Sequence, residues 1–574
     1  MLTSLQIPAK PLRHFLPQDI VIDSWEKIEK FYSSLLDKKI SSLEELEQWL
    51  RDRSELEAVV EEEGAWRYIR MSINTKDEKA VEAYNFFVSE IEPKIAPYND
   101  KLNRKLQECE FTTKADHQKY FIYLRGVEQE LKLFREENVS VQAEISVEAQ
   151  KYGVITGAQS VIYNGEEMTM PKAAMLLKHT DRKIREEIFR LIEQRREKDT
   201  DALDGLFEHL LKLRHKVSRN AGFSNYRDYM FAALGRFDYS VKDCEDFHKS
   251  IQSEIVPVVK GFMQERKEKL GLEKLKPWDL EVDASGKPAL HPFTDGKSLV
   301  NKTVDAFKHI HPYFSECIRV MNEMGHLDLE SKDGKAPGGY NYPLYETGVP
   351  FIFMNAVGSQ RDLVTMVHEG GHAIHSFLTR DLELTAFKGL PSEVAELASM
   401  SMELISMDAW DEFYPDKEEL KRAKHDQLEK IISILPWIAT VDKFQHWLYT
   451  NHQHSRSERK HNWLRVSDEF SSGMVDWDGF ELSRQNSWQR QLHIYEVPFY
   501  YIEYGMAQLG AIAIWRNYKN NPQKSLKQYT EALSLGYTKS IPEIYKTAGI
   551  EFNFSPAYVK ELATFVKTEL EKLK

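Results

Sequence analysis

The chain has 574 residues, of which 77 are basic and 90 acidic, for a formal net charge of −13. That acid excess argues against a phosphate-gripping face, and so against nucleic acid as a partner, while 42% hydrophobic and 11% aromatic residues exclude disorder as the general state. At roughly 100–200 residues per domain, the length accommodates three or four domains or one large body with lobes.

The three cysteines, Cys109, Cys244 and Cys317, are far apart, odd in number and in no CxxC pair. This disfavours a disulfide framework and a cysteine zinc site, and points to a reducing compartment. The N-terminus has no basic stretch followed by a long apolar one, so it does not read as a signal peptide. The longest greasy region, 498–515, is interrupted by Glu503 and Gln508. No membrane span is expected, and a cytoplasmic protein is the default expectation.

In chain order, 40–73 and 77–109 carry apolar residues at helical spacing between charged ones and predict amphipathic helices with solvated faces. The texture changes at 153–170, where β-branched and aromatic residues flank Asn164-Gly165, a hairpin turn signal. Pro171 suits the first turn of a helix running to about residue 196. A boundary near 180 then separates an N-terminal helical region ending in a hairpin, 1–180, from the remainder, 181–574. Prolines 277, 288 and 292 with several glycines break the chain at 270–298. The stretch 332–357 reads as strands and turns, a hairpin whose second strand is 350–356. Helix resumes at Ser359 and dominates to the C-terminus. The fold class expected is mainly α, with a small sheet beside the helix that starts at Ser359.

That helix contains His368-Glu369-Gly370-Gly371-His372, an HExxH. Ser359 can cap it, Asp362 sits in its first turn, and Leu363, Val364, Val367, Ile374 and Leu378 give it an apolar face. Spacing i, i+4 puts both imidazoles on one face, which suits a tetrahedral zinc. Glu369 projects to the side, the position of a general base toward a metal-activated water. Gly370 and Gly371 each cost about 1 kcal/mol in a helix interior relative to Ala, which close approach of another segment would explain. The extended metzincin pattern needs Gly at 375 and His at 378; His375 and Leu378 exclude it. His375 is a candidate for a supporting or substrate-contacting group. A third ligand is needed, and Glu393, Glu396 and Glu403 on the next helix are candidates. Glu396 and Glu403 share a helix face about 10 Å apart, so one can bind metal while the other accepts a hydrogen bond from a ligating imidazole.

At these residues the chain resembles the thimet oligopeptidase/oligoendopeptidase F family of zinc metallopeptidases. The pattern HExGHxxH stands at 368–375 and ExxSxxxE at 396–403, and the chain is more similar to the shorter bacterial oligoendopeptidases than to the longer animal enzymes. Further matches are RNAGFSNYRDY at 219–229, GRFDY at 235–239, PWDL at 277–280 and HIYEVPFYYIEY at 493–504. Many members carry a bulky apolar residue where this chain has Gly370. The resemblance implies a two-lobed ellipsoid of helices around a deep central channel. It implies one Zn²⁺ per chain on His368, His372 and Glu396, with Glu403 as supporting partner and Glu369 as catalytic base. His493 with Tyr500 or Tyr504 would stabilise the oxyanion. Substrate would lie along 351–355, treated as an edge strand, with contacts to Gly339, Tyr340, Phe351, Phe353, Asn355, His375 and Tyr495.

The activity expected is a zinc-dependent endopeptidase acting on short peptides, with no nucleic-acid, membrane or obligate protein partner. A zinc carboxypeptidase is an alternative, with Arg380, Arg484 or Arg490 to hold a terminal carboxylate. A helical peptide-binding protein without turnover is another.

Overall fold

Helical periodicity is realised almost throughout the computed structural model, which describes residues 5–9, 11–332, 334–336 and 338–574. The fold is mainly α, with one two-stranded and one three-stranded sheet among the described residues. None of the described helices is long and apolar enough to cross a membrane. The chain divides into two compact units of three stretches each. Met1–Val139, His291–Arg422 and Ala507–Phe552 form the first, and Ser140–Leu290, Ala423–Met506 and Asn553–Lys574 the second. This division does not follow a single cut near residue 180, which falls within the second unit between helices Met170–Leu176 and Arg182–Glu197. Composition shifts report local texture, whereas membership of a unit depends on which distant stretches bury their faces together.

In the second unit, Asn164-Gly165 joins strands β1 (Ser160–Tyr163) and β2 (Glu166–Thr169). Their φ values of +52° and +82° are the left-handed pair that a two-residue hairpin loop requires. Residues 153–157 nevertheless finish a helix, Glu136–Gly157, and the helix begun at Pro171 stops at Leu176. Asp181 starts Arg182–Glu197 as a separate helix by accepting the Lys183 N–H. Tyr495 lies at the centre of this unit's core, stacked on Tyr152 at 4.5 Å and 5.8 Å from Trp488. Buried pairs Arg459–Asp204 at 3.0 Å and Arg236–Glu503 at 2.8 Å lie in the same unit. Phe499 adopts φ +69°, held by its N–H on Gln445 Oε1 at 2.8 Å and by the Arg236 guanidinium on its carbonyl.

In the first unit, Trp25, Ile28, Tyr32, Trp49 and Leu50 of the N-terminal helices share a core cluster with Leu384 and Phe387. The helix Leu43–Ile73 packs Ala65 and Ile69 against Leu344, Phe351 and Phe353, and its Glu62 accepts the Thr347 N–H at 2.7 Å. The three-stranded sheet has order β3-β5-β4, with β3 (Leu327–Glu330) parallel and β4 (Tyr340–Tyr342) antiparallel to β5 (Phe351–Ala356). The expected hairpin is present, but β5 is the central strand. Ile352 and Phe353 have strand partners on both sides. The run FIFMNA is nearly continuous in apolar residues, the signature of a strand buried on both faces. The edges are β3 and β4.

The motif helix (Gln360–Thr379) packs on the glutamate helix (Ser392–Ile405) at Gly371. A Cβ at Gly371 would lie 2.6 Å from the Ser399 Cα, 2.9 Å from the Ala398 carbonyl oxygen and 3.0 Å from the Met402 Cβ. Gly205, in helix Thr200–Asn220, faces open space by the same measure. Gly371→Ala is therefore expected to lower stability by about 1–3 kcal/mol through overpacking. Gly205→Ala should raise it by about 0.5–1 kcal/mol through lost chain entropy. Denaturant midpoints shifting in opposite directions check the pair.

Candidate metal centre

Strand β5 ends at Ala356, and the chain enters the motif helix through Val357, Gly358 and Ser359. Gly358 sits at φ +89°, a conformation that favours glycine. The Asp362 carboxylate accepts the Ser359 and Val357 N–H groups, each at 2.9 Å, and the Asp362 N–H donates back to Ser359 Oγ at 3.3 Å. This reciprocal cap fixes where the helix starts, and hence which face carries the histidines. The His368 and His372 rings stand 4.9 Å apart at 83°.

The glutamate helix completes the cluster. Glu396 Oε2 is 3.3 Å from His368 Nε2 and 3.8 Å from His372 Nε2. Glu403, two turns further on, places Oε1 2.7 Å from Nδ1 of His368. A proton on Nδ1 donated to Glu403 leaves the Nε2 lone pair for a metal. Ser399 Oγ lies 3.2 Å from Glu396 Oε2 and steadies that carboxylate. Glu393 is buried but outside the cluster.

Tetrahedral zinc bonded at about 2.0–2.2 Å to nitrogen and oxygen sets its ligand atoms roughly 3.3–3.6 Å apart. The His368–Glu396 separation of 3.3 Å lies in that range, the His372–Glu396 separation of 3.8 Å lies just beyond it, and the His₂Glu donor set suits such an ion. The electrostatics agree. Burial opposes a charge on His368, but its hydrogen bonds to Glu396 and Glu403 raise its pKa well above the usual imidazole value. Burial pulls His372 down to about 4. Burial, reinforced by Glu396 and Glu403 and opposed by His368, pushes Glu369 up to about 7. Three carboxylates thus share a buried space in which a divalent cation would be the natural counter-charge.

Several residues singled out from the sequence lie elsewhere. Phe351 and Phe353 are core side chains of the central strand, 3% and 0% exposed, so neither they nor an edge at 351–355 is offered to a peptide. His375 is buried beneath the site, at 1% exposure, and burial drives its pKa down to about 3. Tyr495 is fully buried among Tyr152, Phe207 and Trp488, and is core rather than a substrate contact. Tyr340 stacks on Phe353 at 4.9 Å with its hydroxyl 2.5 Å from Ser72 Oγ, which leaves its backbone on the edge strand. Gly339, just before β4, is exposed. Asn355 spends its amide on the Ala336 and Gly338 carbonyls, at 2.8 and 2.9 Å, shaping the approach to β4. In the second unit His493, Tyr500 and Tyr504 are part-exposed neighbours, with rings 5.3–6.0 Å apart.

Sequence reasoning missed Asn341. Its Nδ2 donates to the Glu369 carbonyl at 3.3 Å, so the edge strand touches the motif helix between the two histidines. No local pattern marks it. Ser399 was visible only as a motif letter, although its i+3 spacing from Glu396 carries the signal.

A helix bearing His368-Glu369-Gly370-Gly371-His372, packed on a second helix that presents Glu396, belongs to the HExxH class of sites. The model of Peptidase family M3 matches residues 175–564, and that of the Peptidase M3 N-terminal domain matches 15–134. The chain belongs to peptidase family M3, as the motifs at 368–375 and 396–403 implied. It is 24% identical over 335 residues to an oligoendopeptidase F homolog of Lactococcus lactis, covering 55% of this chain and 53% of that protein. It is 23% identical over 429 residues to an oligoendopeptidase F homolog of Borreliella burgdorferi, covering 72% and 69%. The chain's match thus spans about half the length of the Lactococcus relative. Among solved structures, PZ peptidase A with an inhibitor superposes with a TM-score of 0.90 at 27% identity, over 95% of this chain and 97% of that one. A putative oligoendopeptidase F from Bacillus anthracis gives 0.86 at 24% identity over 99% of both.

Loss of the Glu403 carboxylate should loosen the His368 imidazole without removing a ligand. Glu403→Ala is expected to weaken zinc affinity about 10–100-fold, read by competition with a chromogenic chelator. Wild-type affinity in that variant would remove Glu403 from the support of the metal.

Proposed function

We propose that the protein is a zinc-dependent endopeptidase that hydrolyses internal bonds of short, unfolded peptides. The observation that carries this reading is the convergence of His368 Nε2, His372 Nε2 and Glu396 Oε2 beside a buried Glu369. Zinc held by His368, His372 and Glu396 would supply Lewis acidity toward the scissile carbonyl and toward water. Glu369 takes a proton from the attacking water and returns it to the leaving amine. A pKa lifted to about 7 by burial suits a group that must do both. Glu403 holds His368 through Nδ1, and Ser399 holds Glu396.

The peptide is read by strand addition to β4, the edge strand whose Asn341 touches the motif helix, since β5 is paired on both sides. Backbone pairing gives affinity with little side-chain selectivity, and exposed Gly339 presents no side chain against an approaching strand. Of the tyrosines at 495–504, burial removes Tyr495. His493 with Tyr500 or Tyr504 remains for oxyanion stabilisation, supported by the family resemblance. Of the three arginines named for the carboxypeptidase reading, Arg484 and Arg490 are paired with Asp468 and Glu193, and Arg380 Nε lies 3.5 Å from Asp381 Oδ1.

Cleavage of an internally quenched peptide with an amidated C-terminus should stop on thorough chelation and return with zinc. Glu369→Gln should keep its metal while turnover falls about 10²–10⁴-fold. Undiminished cleavage by the chelated protein would sink the zinc mechanism. Of Tyr500→Phe and Tyr504→Phe, one should lower kcat about 10²–10³-fold with KM little changed. Steady-state kinetics on both variants identifies the donor, and unaltered kcat in both would dismiss this role for either hydroxyl.

A further inference from the structure

The second unit contains a cluster of ligating side chains outside the site described above. Helix Val241–Ser250 carries Cys244 and His248, and helix Lys417–Thr450 carries Asp442 and His446. Each pair is spaced i, i+4, so each helix presents its two side chains on one face, a turn apart. The four residues are 0%, 4%, 0% and 8% exposed in that order. One donor atom each from Cys244, Asp442 and His446 lie within 4.8 Å of one another.

His446 Nε2 is 3.1 Å from Asp442 Oδ2, yet neither ring nitrogen of His446 nor Asp442 Oδ1 makes an aligned hydrogen bond with any described residue. Asp442 Oδ2 is also 2.8 Å from His248 Nε2, the outer support that metal-ligating carboxylates receive. Phe231 and Phe499 pack on the His446 ring at 5.8 and 5.5 Å, and Phe470 on His248 at 6.3 Å. Buried polar atoms walled by aromatic rings require a partner, and one cation would serve the Asp442 carboxylate and the His446 imidazole together, with the Cys244 sulfur within reach.

We propose that Cys244, Asp442 and His446 form a second divalent-metal site, suited to zinc, with His248 holding Asp442 from behind. Thiolate, imidazole and carboxylate together favour zinc over the oxygen-seeking magnesium or calcium. Cysteine spacing in the sequence argues against such a site because it registers cysteine pairs, and here a single cysteine joins two other ligand types. The ion would clamp two helices against Phe499, the left-handed residue immediately before Tyr500.

The test uses cobalt as the probe, because a thiolate ligand gives Co²⁺ a near-ultraviolet charge-transfer band and the His₂Glu site has no sulfur. The full chain carrying His368→Ala and His372→Ala, stripped and titrated with Co²⁺, is expected to bind one equivalent and develop that band. Adding Cys244→Ser should abolish it, while adding Cys109→Ser or Cys317→Ser should not. A double variant that is folded by circular dichroism but binds no cobalt overturns the proposal, as does binding without the band or a band that survives Cys244→Ser. Should the double variant not fold, wild-type protein gives the same reading. Two equivalents with the band support the site, and one equivalent without it refutes it. Neither outcome depends on peptidase activity.

Discussion

At Gly371 the motif helix and the glutamate helix approach until a single Cβ would strike the Ser399 backbone. That contact sets the separation on which the proposed metal centre depends. Glutamate side chains are short, and Glu396 and Glu403 reach opposite nitrogens of the same His368 imidazole only because the two backbones lie so close. A wider spacing would withdraw both carboxylates together. The cost of glycine in mid-helix is thus repaid in geometry, and the caps at Ser359 and Asp362 hold the histidine face in register with it.

The second constraint is charge. Glu369, Glu396 and Glu403 are gathered with two imidazoles in a largely buried space, and the two imidazoles respond oppositely: His368 is driven up by its carboxylates and His372 down by burial. Such a cluster is poorly balanced by protons alone, since no single protonation state satisfies every member. The same physics that makes the site costly to bury suits it to a small, highly charged cation, as proposed.

The legible parts of the sequence were those that short-range chemistry writes. Asn164-Gly165 forces a hairpin, Ser359 with Asp362 starts a helix, and i, i+4 spacing aligns His368 with His372. Glu396 and Glu403 were recognisable as a pair because two helical turns separate them. What remained hidden depends on partners distant in sequence. Strand β5 looks like half of a hairpin until β3, from more than twenty residues earlier, takes its other side. Tyr495 and Tyr500 look alike in a tyrosine-rich stretch until the first is seen stacked on Tyr152. Asn341 bears no mark of its contact with Glu369. The division into units follows clusters such as Trp49 with Phe387, which composition along the chain cannot register.

Gly370, beside the critical glycine, has a different neighbour. A Cβ there would meet the rim of the buried Phe307 ring at 2.8 Å. Positions 307 and 370 therefore divide one fixed volume between them, and a bulky apolar residue at 370 is admissible only where 307 is smaller. The order in which the two could be exchanged is constrained as well. Shrinking 307 first leaves a cavity costing about 3–5 kcal/mol at most, which a marginal fold can be buffered to survive. Enlarging 370 first drives a side chain of the helix that carries His368 and His372 into the Phe307 ring. The two positions are expected to behave as a coupled pair, and in this chain the ring, not the helix, owns the space.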